Sequence, residues 1–327
     1  GAVPMGIGNK NLKWERTLSA NLGLDLTMFK GRWDFSADVY VKNTDNLLLD
    51  ITKAPSLGIT TSRENVGEVE NRGFEFQTRV IPIKNKDWEW SLSLNYAYNK
   101  NKIKKISNAL REQNEKNQAK GGVTPLPIYE EGQSLTALKV VSSAGIDPIT
   151  GNEVFIKRDG SLTFVYDPND KVVYGDTTPF GMGSIGSYLT YKQFSMGMSM
   201  RYSFGGAVYN QTLASKVEGA DPRYNADERV FSSRWKEVGQ QAKYKRISDS
   251  SVPMQTSRFV ETNNYITLSS LSLAYEVPLT FTKRYGLKRL HLEMLANDLF
   301  YLSSVKRERG LSYPYERSVE FSVRLGF

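Results

Sequence analysis

Strict alternation of apolar and polar residues dominates the chain. Over residues 17–28, Leu18, Ala20, Leu22, Leu24, Leu26 and Met28 share one phase; Thr17, Ser19, Asn21, Gly23, Asp25 and Thr27 share the other. A side-chain period of two marks a strand with unlike faces. After Lys30-Gly31 the pattern resumes over 32–42, with Trp33, Phe35, Ala37, Val39 and Val41 on the apolar phase. It returns in 74–80 and, past Lys84-Asn85-Lys86-Asp87, in 88–99; residues 183–191 and 194–204 flank Lys192-Gln193. Residues 265–277 and 290–297 read as a fourth hairpin, and 318–327 as a last strand. Nine antiparallel strands are predicted. Several have the ~9–11 residues with which a tilted strand crosses a bilayer.

Connection lengths alternate as well. Links near 30, 85, 192 and 283 are short, whereas those over 44–70, 100–182, 205–262 and 300–316 are long. Outer-membrane barrels divide their connections this way, with short periplasmic turns and long extracellular loops. A β-sandwich has no reason to gather its long loops at one end. Trp33, Trp88, Trp90, Tyr98, Tyr191 and Tyr202 fall near strand ends on the apolar phase, where amphipathic rings seat at headgroup level. A soluble inter-sheet core fits less well, because Arg, Asp, Glu and Lys recur on the opposite phase, as in a wet barrel lumen. Leu22, Leu24, Trp33, Phe35, Leu92, Leu94, Met198, Leu273, Phe321 and Val323 are therefore expected to face lipid. Asn21, Asp25, Asp34, Asp38, Gln77, Ser93, Arg201, Glu293 and Arg324 are expected to face the lumen.

Composition agrees. The chain has 327 residues, 39% of them hydrophobic, with 18 Tyr, 15 Phe, 5 Trp and 26 Gly. Its mean hydropathy of -0.45 would suit a soluble protein, but a barrel strand shows lipid only every second side chain. It has no cysteine, which excludes disulfides and thiolate metal sites. The net charge of +8 is scattered among acids, which argues against nucleic acid as a partner. The opening Gly1 to Gly8 has neither a basic n-region nor an apolar h-region, so the chain is expected to begin inside something longer or at a cleavage point.

Nine strands cannot complete a bacterial single-chain barrel, whose strand number is even. An open sheet would leave two bare edges in lipid. An odd number of further strands is therefore expected upstream. The last strand, with Val319, Phe321, Val323, Leu325 and terminal Phe327 in one phase, resembles the C-terminal signal by which outer-membrane barrels are recognised for assembly.

Several segments carry a family resemblance. These are Gly8-Asn9-Lys10-Asn11-Leu12-Lys13-Trp14-Glu15, Asp38-Val39-Tyr40-Val41-Lys42-Asn43-Thr44-Asp45-Asn46-Leu47-Leu48 and Asn65-Val66-Gly67-Glu68-Val69-Glu70-Asn71-Arg72-Gly73-Phe74-Glu75. Ala97-Tyr98-Asn99-Lys100-Asn101-Lys102-Ile103, Gly145-Ile146-Asp147-Pro148, Ser257-Arg258-Phe259-Val260, Ala296-Asn297-Asp298-Leu299-Phe300 and Tyr313-Pro314-Tyr315 follow in order. Together they resemble the SusC/RagA family of TonB-dependent outer-membrane importers. The resemblance implies a 22-stranded barrel of which residues 1–327 supply the last nine strands. The plug domain and the TonB-contacting segment would lie in the other part. It also implies the Bacteroidetes lineage, a SusD-like surface lipoprotein as lid, and oligosaccharide or peptide as substrate. The alternative is a non-transporting barrel with a structural or surface-binding role; a soluble sandwich and an outer-membrane enzyme rank below it.

No catalytic residue or cofactor site is expected. His291 sits on the polar phase of a strand and reads as a structural, lumen-facing group, with no Ser/Asp arrangement beside it. Asp147, Asp159, Asp167, Asp170 and Asp176 offer oxygen ligands for Ca²⁺, but their spacing misses the EF-hand loop. Asp147-Pro148, Asp159-Gly160 and Asp167-Pro168 read instead as turns. Tyr209, Asn210, Tyr224, Arg234 and Trp235, in the 205–262 connection, are the candidate substrate or partner contacts, because loops over a pore tune its selectivity; loop packing or a contact with the lid protein is the plainer reading of each. Residues 100–122, rich in Lys, Asn, Gln and Glu, read as mobile or weakly helical.

Overall fold

The computed structural model describes residues 9–52, 61–221, 223–224, 226–308 and 317–327. Alternation becomes one large antiparallel sheet. Its strands are β1 (Arg16–Met28), β2 (Trp33–Thr52), β3 (Thr61–Lys84), β4 (Trp88–Ile106), β9 (Gly181–Tyr191), β10 (Phe194–Tyr209), β11 (Val260–Glu276), β12 (Arg289–Ser303) and β13 (Ser318–Gly326). They neighbour one another in that order, which leaves β1 and β13 at opposite edges. The expected nine strands form, and the sheet does not close on itself.

Register sorts the side chains into two faces, since directly paired residues share a face. One row runs Met28, Trp33, Val80, Leu92, Ser187, Met198, Leu271, Ala296, Val319. The next row on the other face runs Thr27, Asp34, Arg79, Ser93, Gly186, Ser199, Ser270, Asn297, Ser318. Polar contacts knit this second face. Arg79 donates to Asp34 at 2.9 Å and Asn21 to Asp38 at 3.1 Å. Arg324 donates to Glu293 at 3.0 Å, and His291 Nδ1 lies 2.9 Å from Glu276. Among the described residues nothing covers the apolar face: Leu22 is 77% and Phe321 78% exposed.

Aromatic rings gather along two lines on the apolar face. Near the short turns, Phe29 stacks on Trp33, Trp88 meets Tyr191 at 4.1 Å and Phe194 meets Tyr275 at 4.5 Å. Towards the far end, Phe74 contacts Tyr96 and Tyr98, Tyr98 contacts Phe180, and Tyr202 stacks on Phe204. On β4 the lines are ten residues apart, from Trp88 to Tyr98. At ~3.3 Å per residue that is ~33 Å of strand. At a tilt of ~40° it becomes ~25 Å, the height of an outer-membrane apolar band. No helix among the described residues is long and apolar enough to cross a membrane.

Beyond the far line the chain departs from the sequence expectation. Residues 44–70 are not a long loop there: β2 and β3 continue to Thr52 and back from Thr61, as a hairpin standing above the apolar band. Register shifts between Thr44 and Leu47 and between Leu47 and Leu48 break its alternation. Residues 100–122 are likewise ordered into the end of β4 and helix α1 (Asn108–Ala119), whose N-cap Ser107 accepts from Leu110 N. A second sheet, unforeseen from sequence, has the order β7 (Leu162–Thr163), β6 (Glu153–Ile156), β5 (Ala137–Ile146), β8 (Lys171–Asp176). The link near 283 is longer than a tight turn and holds helix α2 (Leu279–Thr282). Of the quoted segments, Gly8 and Tyr313-Pro314-Tyr315 lie outside the described residues.

The buried core sits in this far lobe rather than in the large sheet. Ile51, Val66 and Leu110 join the tall hairpin to α1. Ala214, Val217, Tyr244 and Phe259 form a second cluster within the 210–259 connection, with Tyr209 packed against it. Val140 and Val141 of β5 are fully buried.

Candidate functional site

The lobe lies at the end of the large sheet opposite the short turns, and its geometry begins with one ion cluster. Arg258 follows the buried Ser257 in a short 3-10 turn that leads into β11. Its guanidinium donates to both oxygens of Glu153 on β6 and both of Glu218, every contact at 2.7 Å. The Arg258, Glu153 and Glu218 side chains are 9%, 4% and 1% exposed. Burial opposes the charge on Arg258, yet the hydrogen bonds it donates to Glu153 and Glu218 hold its pKa above the ordinary value. This cluster pins the second sheet to the 210–259 connection.

Two further cations serve backbone rather than ligand. Arg234 is 3% exposed and donates to the carbonyls of Val230, Lys245, Val217 and Glu218 at 2.7–3.1 Å. Lys171 is 1% exposed, and its ammonium donates to the carbonyls of Asn117, Gln118 and Lys120 at 2.8–3.2 Å. These are last-turn and following carbonyls of α1, which attract a cation. Burial alone pushes Lys171 down to about 8.

The other candidate contacts divide by exposure. Asn210 is buried; it donates to Glu261 at 2.6 Å and accepts from Leu213 N at 3.1 Å, so it fixes the start of the following helical turn. Tyr209 packs edge-on against Phe259 at 5.9 Å. Trp235 donates from Nε1 to Pro148 O at 2.9 Å. Its ring lies over Gly151, where an added Cβ would come within 2.6 Å of the indole. Gly151 also has φ of +69°, which favours glycine. Tyr224 is 74% exposed. The structure thus brings Tyr209, Asn210, Arg234 and Trp235 into one packed lobe and leaves Tyr224 on its surface.

Among the described residues, two neighbouring clefts of the lobe share Asp249, Ser251 and Val252. The larger, about 550 Å³, has charged walls from Glu218, Asp221, Arg223 and Asp249 and an apolar wall from Val123, Ile247 and Val252. The smaller, about 210 Å³, is bounded by Glu153, Phe155, Phe164, Tyr166 and Met254. Charged, hydroxyl and apolar groups stand side by side in these clefts, and in the smaller one Lys245 donates to the Ser251 hydroxyl at 2.8 Å. Asp147, Asp159 and Asp167 turn inward to their own turns, whereas Asp170 and Asp176 also tie in other segments. Asp147 accepts from Thr150, Asp159 from Ser161, Asp167 from Asn169, Asp170 from Arg158 N, and Asp176 from Thr136 and Thr178.

A wide antiparallel sheet with one bare apolar face, two aromatic lines and a loop lobe at one end matches a recorded family. The TonB dependent receptor-like, beta-barrel family model covers residues 2–292. The chain belongs to that family. TonB-dependent receptor P3 of Formosa agariphila is 30% identical over 318 residues, 91% of this chain and 31% of the relative. TonB-dependent receptor SusC of Bacteroides thetaiotaomicron is 31% identical over 218 residues, covering 64% of this chain and 21% of SusC. The RagAB peptide importer in its "open-open" state superposes with a TM-score of 0.79 at 21% identity, over 98% of this chain and 36% of that one. The chain spans about a third of the length of the curated relatives it matches first. The SusC/RagA resemblance in the sequence and the strand count therefore lead to the same TonB-dependent receptor barrel.

In this receptor barrel the cluster residues Glu153 and Glu218 were not legible as functional in the sequence. Only their partner carried a signal, within Ser257-Arg258-Phe259-Val260. His291 takes its place on the polar face between Glu276 and Glu293, and Arg289 also pairs with Glu276 at 2.8 Å.

Proposed function

We propose that this chain is the C-terminal part of the barrel of an active outer-membrane importer for oligosaccharides or peptides. The observation that carries the reading is the ~25 Å apolar band between two aromatic lines, backed by a polar face and crowned at one end by a cleft-bearing lobe. The polar face, with Asp34, Arg79, Glu293 and Arg324, lines an aqueous lumen. In this reading a SusD-type lipoprotein closes over the lobe, and TonB engages an N-terminal part of the receptor together with its plug. Tyr224, beside Asp221 and Arg223 at the larger cleft, contacts substrate or lid. Trp235, Arg234, Asn210 and Tyr209 hold the lobe in shape beneath it.

Uptake of labelled oligosaccharides and peptides by cells with and without the intact gene tests this reading. Import that vanishes with the gene, and again when the inner-membrane proton gradient is collapsed, supports it. Equal uptake in both strains across the substrate panel defeats it and favours a surface-binding barrel.

A further inference from the structure

The short-turn end of the sheet carries a charge pattern that transport does not explain. Its four turns hold Lys30 and Arg32, then Lys86, then Lys192, then Lys283, Arg284 and Lys288, against a single carboxylate, Asp87. All seven cations are exposed. The third and fourth turns adjoin, because Glu276 N donates to Gln193 O at 2.9 Å. Lys192 lies over the Tyr191 ring, 5.3 Å from its centroid, and so stands at the aromatic line. In the fourth turn Leu279, Phe281 and Tyr285 are 48–68% exposed, with Phe281 and Tyr285 in ring contact at 5.6 Å. Cations beside exposed rings are the composition of a headgroup interface.

Directly beyond these two turns the apolar face is grooved. Met196, Leu273, Met294 and Phe321 lie in one register row across β10 to β13 and form the groove's floor. Tyr191, Phe194 and Tyr275 edge it on the turn side, and its volume is about 490 Å³. The walls are almost wholly apolar, so the groove takes hydrocarbon rather than a sugar or peptide. Its depth and its cationic border call for one molecule with both characters.

We propose that this groove and the adjoining turns form a binding site for one anionic phospholipid of the periplasmic leaflet. An acyl chain lies over the Met196 to Phe321 row, and the phosphate is held by Lys192 and the Lys283, Arg284, Lys288 turn. Short turns at the periplasmic side place the site in that leaflet. Lys and Arg stems lie along apolar surface while their heads reach phosphate. The proposal rests on the membrane placement above; lipid retention and solute uptake are separate readouts, so either can fail alone.

The test is native mass spectrometry of the full-length receptor, purified in mild detergent and offered phosphatidylglycerol or phosphatidylethanolamine. The wild type is expected to retain phosphatidylglycerol preferentially. Replacing Lys192, Lys283, Arg284 and Lys288 by Ser should cut that retention at least ~10-fold, given roughly a fivefold contribution from each surface cation. Phosphatidylethanolamine, whose ammonium offsets its phosphate charge, should lose distinctly less. The corresponding Arg variants at the three lysines should keep the preference, and Leu273→Trp, which fills the groove, should weaken retention of both lipids. Heat-modifiable migration on gels verifies that each variant is folded. Equal retention of the two lipids by wild type, unchanged retention in the Ser variant, or displacement by millimolar inorganic phosphate would each overturn the proposal.

Discussion

Arg258 and Glu153, 105 residues apart in sequence, meet through two parallel hydrogen bonds of 2.7 Å each. Glu218 grips the same guanidinium from the other side. A pair this deeply buried gains little over apolar packing, but removing one partner strands the others. Arg258→Ala leaves two carboxylates facing each other out of water and should cost ~3–5 kcal/mol of local stability. Hydrogen exchange should accelerate in both 137–176 and 210–259, because the cluster joins them. Exchange confined to one segment would show that the two parts of the lobe hold themselves.

The contrast between sheet and lobe explains what the sequence could reveal. Inside the apolar band the sheet has one apolar and one polar face, so Leu92, Leu94 and Tyr96 alternate visibly with Ser91, Ser93 and Asn95. The two-face assignment followed directly, down to Asp34 and Asp38 sharing the polar face. Above the band that asymmetry ends, and β2 beyond Lys42 is broken by bulges at Thr44 to Leu48. Strands there looked like loop. The second sheet was hidden for a different reason: β6 and β7 have four and two residues, too short to show a period. Arg234 and Asn210 stand in the sequence as candidate contacts because loops over a pore tune its selectivity, and the pattern alone cannot separate that from loop packing. Their partners are carbonyls and a glutamate many residues away, invisible to local pattern.

Facing can be tested by moving charge across the sheet. Leu94 lies between Trp88 and Tyr98 on the apolar face, near the middle of the band. Leu94→Arg should destabilise the receptor in bilayers by ~2–4 kcal/mol. Gln77→Arg, exposed on the polar face, should be close to neutral. The check is the thermal midpoint of gel heat-modifiability for each variant in lipid. Equal losses at both positions would contradict the two-face arrangement.

Acid should loosen the lobe. Asp227 is held below the ordinary carboxylate range by its hydrogen bonds from Arg229, which also bridges to Glu308 at 2.8 Å. For Asp249 burial acts upward, yet the hydrogen bonds from Ser251 and Lys245 outweigh it and hold the carboxyl at about 2. Unfolded aspartate titrates near ~3.9. Both groups therefore lend stability that is complete above that value and is lost as pH falls through the folded values. Hydrogen exchange of 226–251, compared from pH 6 down to 2 after correction for intrinsic rates, should rise between ~4 and 2. A flat profile across that interval would exclude these two carboxylates as holders of the lobe.

The last prediction concerns how the candidate contact region is held in place. Trp235 reaches from the 210–259 connection to the Asp147 to Asn152 turn, bonding Pro148 O and covering Gly151. Gly151 meets two demands at once: a left-handed φ of +69° and no side chain under the indole. Gly151→Ala violates both, and strain at a residue forced to positive φ costs ~1–2 kcal/mol before any clash. The methyl must also push the indole aside, which breaks the 2.9 Å bond to Pro148. Trp235→Ala removes the same contact from the other partner, so the two changes should be strongly non-additive. With Trp235→Ala in place, Gly151→Ala should retain only its backbone strain. Hydrogen exchange over 147–152, measured for both single variants and the double, separates the terms. Full additivity would mean that the ring and the turn are held independently, and that Trp235 does not position this part of the lobe.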